Sequence, residues 1–329
     1  MFNKKLLLTL TILFSLLLIG CQKNRTVYSD TGFYFDTVIT VTLYENGSSE
    51  ILDECMDLAL NYENLLSATI EGSDIWNLNH NAGSYVTLDP ETISLLQTAL
   101  TYAELSDGVV DPTVGSLSAL WNFGSDGSNI VPETSHIEES LSHVDYHSLS
   151  LKGNQGILLD SQASVDLGFI AKGYIGDKMK EFLISQGVTS ALINLGGNVV
   201  TIGSKPNGDC FRVGIQDPFE KSGTPALVVE LTDTCAVSAG NYERYFEKDG
   251  IRYHHILSTT DGYPARSGLS QVTIISPDST RADALSTLCF ILGYEKAASL
   301  IENYPEDQAI FITEDGEILY TDNAIISGK

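Results

Sequence analysis

The spacing of apolar residues predicts a chain of mixed helices and strands. Between positions 49 and 66, apolar residues recur at helical intervals, whereas residues 33–44 alternate apolar with polar and are rich in β-branched side chains, which predicts a strand. Further helices are predicted over 90–105, 171–186, 280–292 and 294–303, and further strands over 156–160, 191–194, 199–202, 210–215, 226–231, 270–276, 308–313 and 317–321. Because these elements follow no strict strand–helix–strand period, the pattern favours an α+β fold over a doubly wound sheet.

The start of the chain has the pattern of a secretion signal. Lys4 and Lys5 precede an apolar run from Leu6 to Ile19 that is too short to span a bilayer comfortably. The run ends in Leu-Ile-Gly-Cys, which resembles a bacterial lipobox and implies cleavage before Cys21 and lipid attachment to its thiol. The alternative is an ordinary anchor helix with an incidental cysteine. We therefore expect a signal peptide over 1–20, a polar tether over 21–31, and a functional domain over 32–329, lipid-anchored outside the cytoplasm on the extracellular face or in the periplasm.

Composition and charge limit the possible partners. Apolar residues make up 43% of the chain, which is enough for a substantial core. The net charge of −25 argues against nucleic acid or an anionic lipid surface as a partner. A phosphate-bearing ligand would therefore need local cations or a metal ion. The cysteines after the lipobox show no Cys-x-x-Cys spacing, which disfavours a zinc site or redox pair and leaves a disulfide open.

Two clusters near the carboxyl end carry candidate chemistry. The segment HHILSTTDGYPA at 254–265 combines paired histidines with a flexible Asp-Gly turn. In ADALST at 282–287, Asp283 and Thr287 are four residues apart, so on a helix they share one face. A carboxylate and a hydroxyl are hard oxygen ligands, which suit Mg²⁺ better than zinc or copper. The alternative for this pair is a solvated or capping face.

Three further motifs lie in the middle of the chain. They are VDPTVGSLSALWNFG at 110–124, DLGFIAKG at 166–173 and INLGGN at 193–198. Gly196-Gly197 follows an apolar strand, where glycine lets backbone N–H groups approach a phosphate closely, although the pair could equally form a turn. Lys172 is either an anion ligand or a surface charge, and Trp121 is either a flavin platform or a core residue.

With AGNYERYF at 239–246, these motifs resemble, in this order, the FAD:protein FMN transferase family, the ApbE-like lipoproteins. The resemblance covers about Phe35 to Tyr320. It implies an ApbE-like, T-fold-like body of mixed sheets and packed helices, with two closely joined lobes. It also implies a Mg²⁺-dependent reaction that cleaves FAD, attaches FMN through a phosphoester bond to a threonine of an acceptor protein, and releases AMP. The implied acceptor is a redox-complex subunit or an extracellular electron-transfer protein with an Asp/Ser/Thr-containing motif.

The resemblance also assigns residues. It implies that the Phe169 carbonyl, Asp283 and Thr287 bind Mg²⁺, that Lys172 lies near the pyrophosphate, and that Asp283 or His255 is the catalytic base. The residues that it places beside FAD are Phe35, Thr69, Asn79, Val109, Val110, Asp111, Asp166, Lys172, Gly196, Gly197, His255 and Ile256. Phe35 stands in Phe-Asp-Thr, where the family commonly has Met-Gly-Thr.

Two other activities fit the same motifs. An FAD pyrophosphatase would use the same metal site with water as the nucleophile. An FAD-binding lipoprotein without transfer would keep the cofactor contacts but would need no metal, which the Asp283/Thr287 pair argues against. A solute-binding lipoprotein would leave the glycine-rich segments unexplained. The sequence does not separate transfer to threonine from transfer to water.

Overall fold

Eight strands form one antiparallel sheet at the centre of the molecule, in the order β1-β2-β6-β7-β10-β13-β14-β15. The computed structural model describes residues 26–123, 129–321 and 326–328, so the predicted signal peptide and Cys21 lie outside it. The strands of this sheet are β1 (Tyr28–Tyr34), β2 (Thr37–Glu45), β6 (Ser190–Leu195), β7 (Asn198–Ile202), β10 (Cys235–Gly240), β13 (Leu269–Ser276), β14 (Gln308–Thr313) and β15 (Ile318–Tyr320).

Three smaller sheets surround the central one. The first has the order β3-β5-β4, the second β16-β9-β8, and the third is the hairpin β11-β12. Their strands are β3 (Val86–Thr87), β4 (Leu149–Lys152), β5 (Gln155–Leu158), β8 (Phe211–Gln216), β9 (Pro225–Leu231), β11 (Tyr245–Lys248), β12 (Ile251–His254) and β16 (Ile326–Gly328). Mixed helices with antiparallel sheets confirm the α+β prediction.

Two helices that pack against the central sheet carry most of the candidate site. They are α6 (Ala171–Ser185) and α7 (Ser279–Leu292), and α7 contacts both β10 and β13. All eight residues of β13 are buried, and nine residues of α7, polar ones among them, are buried because the helix lies between the sheet and other helices. The other helices are α1 (Ser49–Leu66), α2 (Asp74–His80), α3 (Pro90–Leu105), α4 (Gly115–Trp121), α5 (Thr134–Leu141) and α8 (Tyr294–Ile301), with a 3₁₀ turn at Tyr146–Ser148. Among the residues described, none of the helices has the length and apolar character needed to cross a bilayer.

The long helices were predicted well because their ends carry strong signals. The Asp89 side chain caps α3, and Pro90 occupies its first turn. Asp278 caps α7, and Gly293 ends it. The short helices α2, α4 and α5 and the strands β10, β11 and β12 were not predicted, since segments of this length show too few periodic positions.

The first predicted strand needs correction. Residues 33–44 are not one strand, because Phe35 and Asp36 have φ angles of 53° and 55° and form the two-residue turn between β1 and β2. A bulky residue seldom adopts this conformation, so nothing in the residue types at these positions indicated a turn. The predicted tether is also too long at its carboxyl end, since residues 28–31 belong to β1 and pair with β2.

The cysteines that the structure describes are unlinked. Cys55, Cys210, Cys235 and Cys289 are free thiols, and all but Cys210 are buried. Burial raises the pKa of the Cys55 thiol to about 12, so this side chain packs as a small apolar group. The question of a disulfide, which the sequence left open, is thereby answered for these four residues.

Candidate active site

The carboxylate of Asp283 lies at the amino end of helix α6. Its Oδ2 accepts a hydrogen bond from the Gly173 N–H at 2.8 Å, and its Oδ1 accepts one from the Asn198 side-chain amide at 3.0 Å. The Lys172 Nζ lies 3.9 Å from Oδ1. Burial raises the pKa of Asp283, an effect that Lys172 and the N–H donors only partly offset. A further cation at this buried carboxylate would therefore stabilise its charged form.

Gly173 allows the two helices to come this close. A Cβ atom at Gly173 would lie 2.2 Å from the Ser279 carbonyl oxygen and 2.7 Å from the Asp283 Cβ. Any other residue would therefore push α6 away from α7. The glycine that closes the DLGFIAKG motif thus sets the distance between Asp283 and the first turn of α6.

The Phe169 carbonyl oxygen is left free by the same contact. In a regular α-helix the Gly173 N–H would bond to the carbonyl four residues earlier, which is that of Phe169. Here that N–H bonds to Asp283, and no hydrogen bond to the Phe169 oxygen is made within the described ranges. Thr287, half-buried, follows Asp283 by one turn on α7.

These three oxygen donors fit Mg²⁺. A carboxylate, a carbonyl and a hydroxyl are hard ligands, and the Phe169 carbonyl makes no hydrogen bond to the described residues that a metal ion would have to displace. Among the described residues no group of three or more His, Cys, Asp or Glu side chains could hold a metal ion. A metal at Asp283 would therefore depend on the carbonyl and hydroxyl oxygens that the sequence analysis named.

One ring nitrogen of His255 has no hydrogen-bond partner among the described residues. The backbone N–H of His255 donates to the Arg244 carbonyl at 3.0 Å, whereas the ring atom Nδ1 is buried and makes no such bond. Burial lowers the pKa of His255 to about 3, and the nearby cations of Arg244 and Lys172 contribute. The imidazole is therefore neutral at physiological pH and can accept a proton or hydrogen bond from a ligand. Lys172 acts on both Asp283 and His255, so the two predicted catalytic residues flank one cation.

The Gly196-Gly197 pair forms the hairpin turn between β6 and β7, with φ angles of 61° and 101°. The Gly196 N–H donates to the Val38 carbonyl at 3.0 Å, and the Gly197 N–H donates to the Asn194 side-chain oxygen at 2.8 Å. Both N–H groups therefore have partners in the chain, and a contact of Gly196 or Gly197 with the phosphates of FAD stays a prediction. The turn also places the next residue, Asn198, against Asp283.

The carboxylate of Asp111 holds the surrounding loop in place through hydrogen bonds. Its Oδ1 accepts hydrogen bonds from the N–H and the hydroxyl of Thr113, both at 2.7 Å, and its Oδ2 accepts one from the Tyr146 N–H at 2.9 Å. The carboxylate is buried, and this burial raises its pKa despite the three donors. A direct contact between Asp111 and FAD stays a prediction.

Asp166 and Asn79 hold the segment that leads into α6. The Asp166 carboxylate accepts from the Gly168 N–H at 2.8 Å. The Asn79 side chain bonds to both backbone groups of Val165, at 2.7 Å and 3.0 Å. These contacts fix the approach to Phe169 and Lys172, whereas any contact of Asp166 or Asn79 with FAD stays a prediction.

The loop before Asp111 meets the loop after His255. The Thr259 hydroxyl donates to the Gly108 carbonyl at 2.7 Å, which places half-buried Val109 beside the histidine segment. Val110 and Ile256 are buried in the main core, so their side chains contribute to the packing beneath the site.

Two residues that were predicted to contact FAD, Thr69 and Phe35, lie at the edge of the candidate site. The exposed Thr69 bonds through its N–H and its hydroxyl to the nearby Ser67 hydroxyl, both at 3.1 Å. The Phe35 N–H donates to the Glu63 carboxylate at 2.7 Å, and its turn adjoins the Gly196 hairpin through Val38. No described hydrogen bond links Thr69 to the Asp283 cluster, and contacts of both residues with FAD stay predictions.

Trp121 belongs to the core rather than to a flavin platform. It is buried, its indole N–H donates to the Gly262 carbonyl at 2.8 Å, and it stacks on Phe123. This tryptophan ties the Asp-Gly turn of the histidine segment to helix α4.

Sequence reasoning missed three residues of the site. Asn198, Gly173 and Arg244 lie inside INLGGN, DLGFIAKG and AGNYERYF, but no role was assigned to them. The side-chain type gave no signal for Asn198 and Gly173, since each matters only through its contact with Asp283.

Comparisons with known proteins find relatives over most of the length of this chain. A family model described as the ApbE family matches residues 35–312, a range that contains every predicted site residue except Cys21. A Treponema pallidum (strain Nichols) protein named FAD:protein FMN transferase is 37% identical over 312 residues, covering 88% of this chain and 86% of that protein. A Klebsiella pneumoniae (strain 342) protein with the same name is 34% identical over 311 residues, with coverages of 91% and 93%. The crystal structure of the ApbE protein from Thermotoga maritima aligns with a TM-score of 0.84 at 32% identity, covering 90% of this chain and 97% of that one.

Proposed function

Because this chain belongs to the ApbE family, we propose that it is a flavin transferase that cleaves FAD and attaches FMN to a threonine of an acceptor protein, releasing AMP. The observation that carries the proposal is the contact between Asp283 and the Gly173 N–H. It leaves the Phe169 carbonyl free beside a buried carboxylate, which gives oxygen donors for Mg²⁺ at the end of a helix that also carries Lys172.

In the proposed reaction the threonine oxygen bonds to the phosphorus of the FMN half of FAD. The bond from that phosphorus to the bridging oxygen breaks, and AMP leaves with the electron pair. When bound, Mg²⁺ would neutralise charge on the phosphate oxygens and on the leaving AMP. Lys172 would add a second positive charge, which matters because the chain as a whole carries −25.

We assign the base to His255 rather than Asp283. The Asp283 oxygens already accept N–H donors and would bind the ion, whereas the His255 Nδ1 is buried and has no described partner. The low pKa of His255 comes first from burial and then from Arg244 and Lys172. An anionic pyrophosphate bound to those cations would raise the pKa of His255, so that its imidazole could take the threonine proton.

The test is turnover of FAD by the full chain with Mg²⁺ and an acceptor from the same organism. Wild-type protein is expected to give an acceptor threonine carrying FMN, seen by in-gel fluorescence and peptide mass spectrometry, with an equal amount of AMP. Asp283→Ala should abolish transfer and keep much of the FAD affinity, since the carboxylate acts mainly on charge that develops in the transition state. Thr287→Ala should do less harm, because water can replace a neutral hydroxyl ligand.

An FAD pyrophosphatase is the alternative that the same site supports. It differs only in that water, rather than threonine, reaches the phosphorus. If wild-type protein yields only free FMN and AMP although the acceptor is present and folded, the pyrophosphatase is the better assignment.

We further propose that the protein works outside the cytoplasm, held to the membrane by lipid on Cys21. The support is the lipobox-like sequence alone. Since β1 begins at Tyr28, the tether after Cys21 is short and would keep the site close to the membrane surface.

A further inference from the structure

A second carboxylate links helices α6 and α7, at the amino end of α7. Asp177, on α6, accepts hydrogen bonds from the Ser279 N–H at 3.0 Å, the Thr280 N–H at 2.8 Å and the Thr280 hydroxyl at 2.6 Å. The first N–H groups of a helix have no partner within it, so Asp177 supplies acceptors for the start of α7. Burial raises the pKa of this carboxyl, which means that the hydrogen bonds must hold a desolvated group.

The two helices therefore cap each other. Asp177 of α6 lies at the amino end of α7, and Asp283 of α7 lies at the amino end of α6, bonded to the Gly173 N–H. Each carboxylate also interacts favourably with the positive end of the partner helix dipole. Two such contacts, three to four residues apart on α7 and four residues apart on α6, fix how far one helix can slide along the other.

We infer that Asp177 is a positioning residue for the metal site, an inference that rests on the proposed function. Asp283 keeps the Phe169 carbonyl free only while it holds the Gly173 N–H. If α7 slid away from α6, that N–H would bond to Phe169 and one metal ligand would be lost. Asp177 prevents the slide by anchoring the start of α7 on α6.

Asp278 provides a matched control at the same helix end. Its side chain accepts a hydrogen bond from the Arg281 N–H at 2.8 Å, so it caps α7 as well. Its described hydrogen bonds reach only residues between 276 and 282, and none reaches α6. Asp278→Ala removes this cap and therefore weakens the start of α7 without releasing α7 from α6.

The experiment measures Mn²⁺ binding by electron paramagnetic resonance on the full chain, in wild type, Asp177→Asn and Asp278→Ala. Thermal unfolding and FAD binding without metal are measured in parallel. Asp177→Asn should weaken Mn²⁺ binding by about tenfold, the effect expected when a residue that orients metal ligands is replaced. Asp278→Ala should lower the melting temperature to a similar extent, because it removes a helix cap, and should leave Mn²⁺ affinity unchanged. The affinity for FAD without metal should be the same in all three proteins.

Equal Mn²⁺ affinity in Asp177→Asn and wild type, or equal losses in both variants, would overturn the inference. If Asp177→Asn does not fold, Thr280→Ala replaces it, since this change removes only the 2.6 Å hydroxyl bond. Thr280→Ala should lower the affinity for Mn²⁺ by a smaller factor, and an unchanged affinity would again refute the positioning role of Asp177. A wild-type protein that does not bind Mn²⁺ would instead contradict the proposed metal site itself.

Discussion

Replacing Gly173 with alanine tests whether close helix contact builds the site. The new Cβ would lie 2.2 Å from the Ser279 carbonyl oxygen and 2.7 Å from the Asp283 Cβ, and neither atom can rotate away. Non-bonded contacts of this kind rest near 3.5 Å, so the helices must separate by about 1 Å. Such overpacking costs about 1–3 kcal/mol, against a gain of about 1 kcal/mol from better helix propensity. We expect Gly173→Ala to be destabilised by up to about 2 kcal/mol.

The matched control is Gly176→Ala on the same helix. It has the same propensity gain, but its nearest contacts are the Val200 methyl at 3.1 Å and the Ser279 hydroxyl at 3.2 Å, both side-chain atoms that can yield. We expect this variant to be as stable as wild type or slightly more stable. Denaturant unfolding of the two variants should therefore differ by about 2 kcal/mol.

Activity should separate the two variants further. A separation of about 1 Å would remove the Gly173 N–H from Asp283 and could reduce turnover by about 100-fold. FAD turnover with Mg²⁺ is measured on both variants at saturating FAD. If Gly173→Ala were as stable and as active as Gly176→Ala, the Asp283–Gly173 contact could not be what assembles the site.

Three other expectations follow from the site. Lys172→Ala should lower the affinity for FAD much more than the affinity for riboflavin, which has no phosphate. Lys180→Ala on the same helix, where the lysine pairs with Asp233, should change neither affinity. Equal losses of affinity for both ligands in Lys172→Ala would show that Lys172 does not bind the pyrophosphate. The pKa values of His254 and His255 are lowered to about 4 and about 3, so both should stay neutral by NMR at pH 5.5 in the free enzyme, and a midpoint above 6 would contradict their burial. Because these values lie below the usual pKa of about 6.5, the stability they contribute is complete above pH 6.5 and is lost as the pH falls toward 4 and 3. Cys21→Ser should abolish incorporation of radiolabelled fatty acid and release the protein from membranes, and unchanged labelling would refute the lipid anchor.

The sequence by itself determined the long helices and the identity of the metal-site candidates. Helix α7 could be predicted because its end signals and burial pattern are local, and the four-residue spacing of Asp283 and Thr287 follows from helical geometry. The Phe169 carbonyl, in contrast, was named only through a resemblance to a family. No sequence rule states which carbonyl is free, since that depends on where the Gly173 N–H bonds.

Local conformations with no turn signal were beyond the sequence. The Phe35-Asp36 turn has positive φ angles without glycine or asparagine, so the hairpin β1-β2 was read as one strand. Gly196-Gly197 did carry a signal, but it was ambiguous between a phosphate loop and a turn. The structure shows that the pair forms the turn between β6 and β7, while its contact with a phosphate stays a prediction.

Only the tertiary structure decided how the site is assembled. Asp283 and Gly173 are far apart in the sequence, and so are Asp177 and Thr280, yet each pair is joined by a hydrogen bond of 2.8 Å. The reason is that a carboxylate can accept a hydrogen bond from the backbone N–H of almost any residue. The packing of α6 on α7 therefore determines which N–H becomes its partner. Residue types thus fixed which groups could bind a metal or a phosphate, while the approach of two helices through Gly173 determined which of those groups meet.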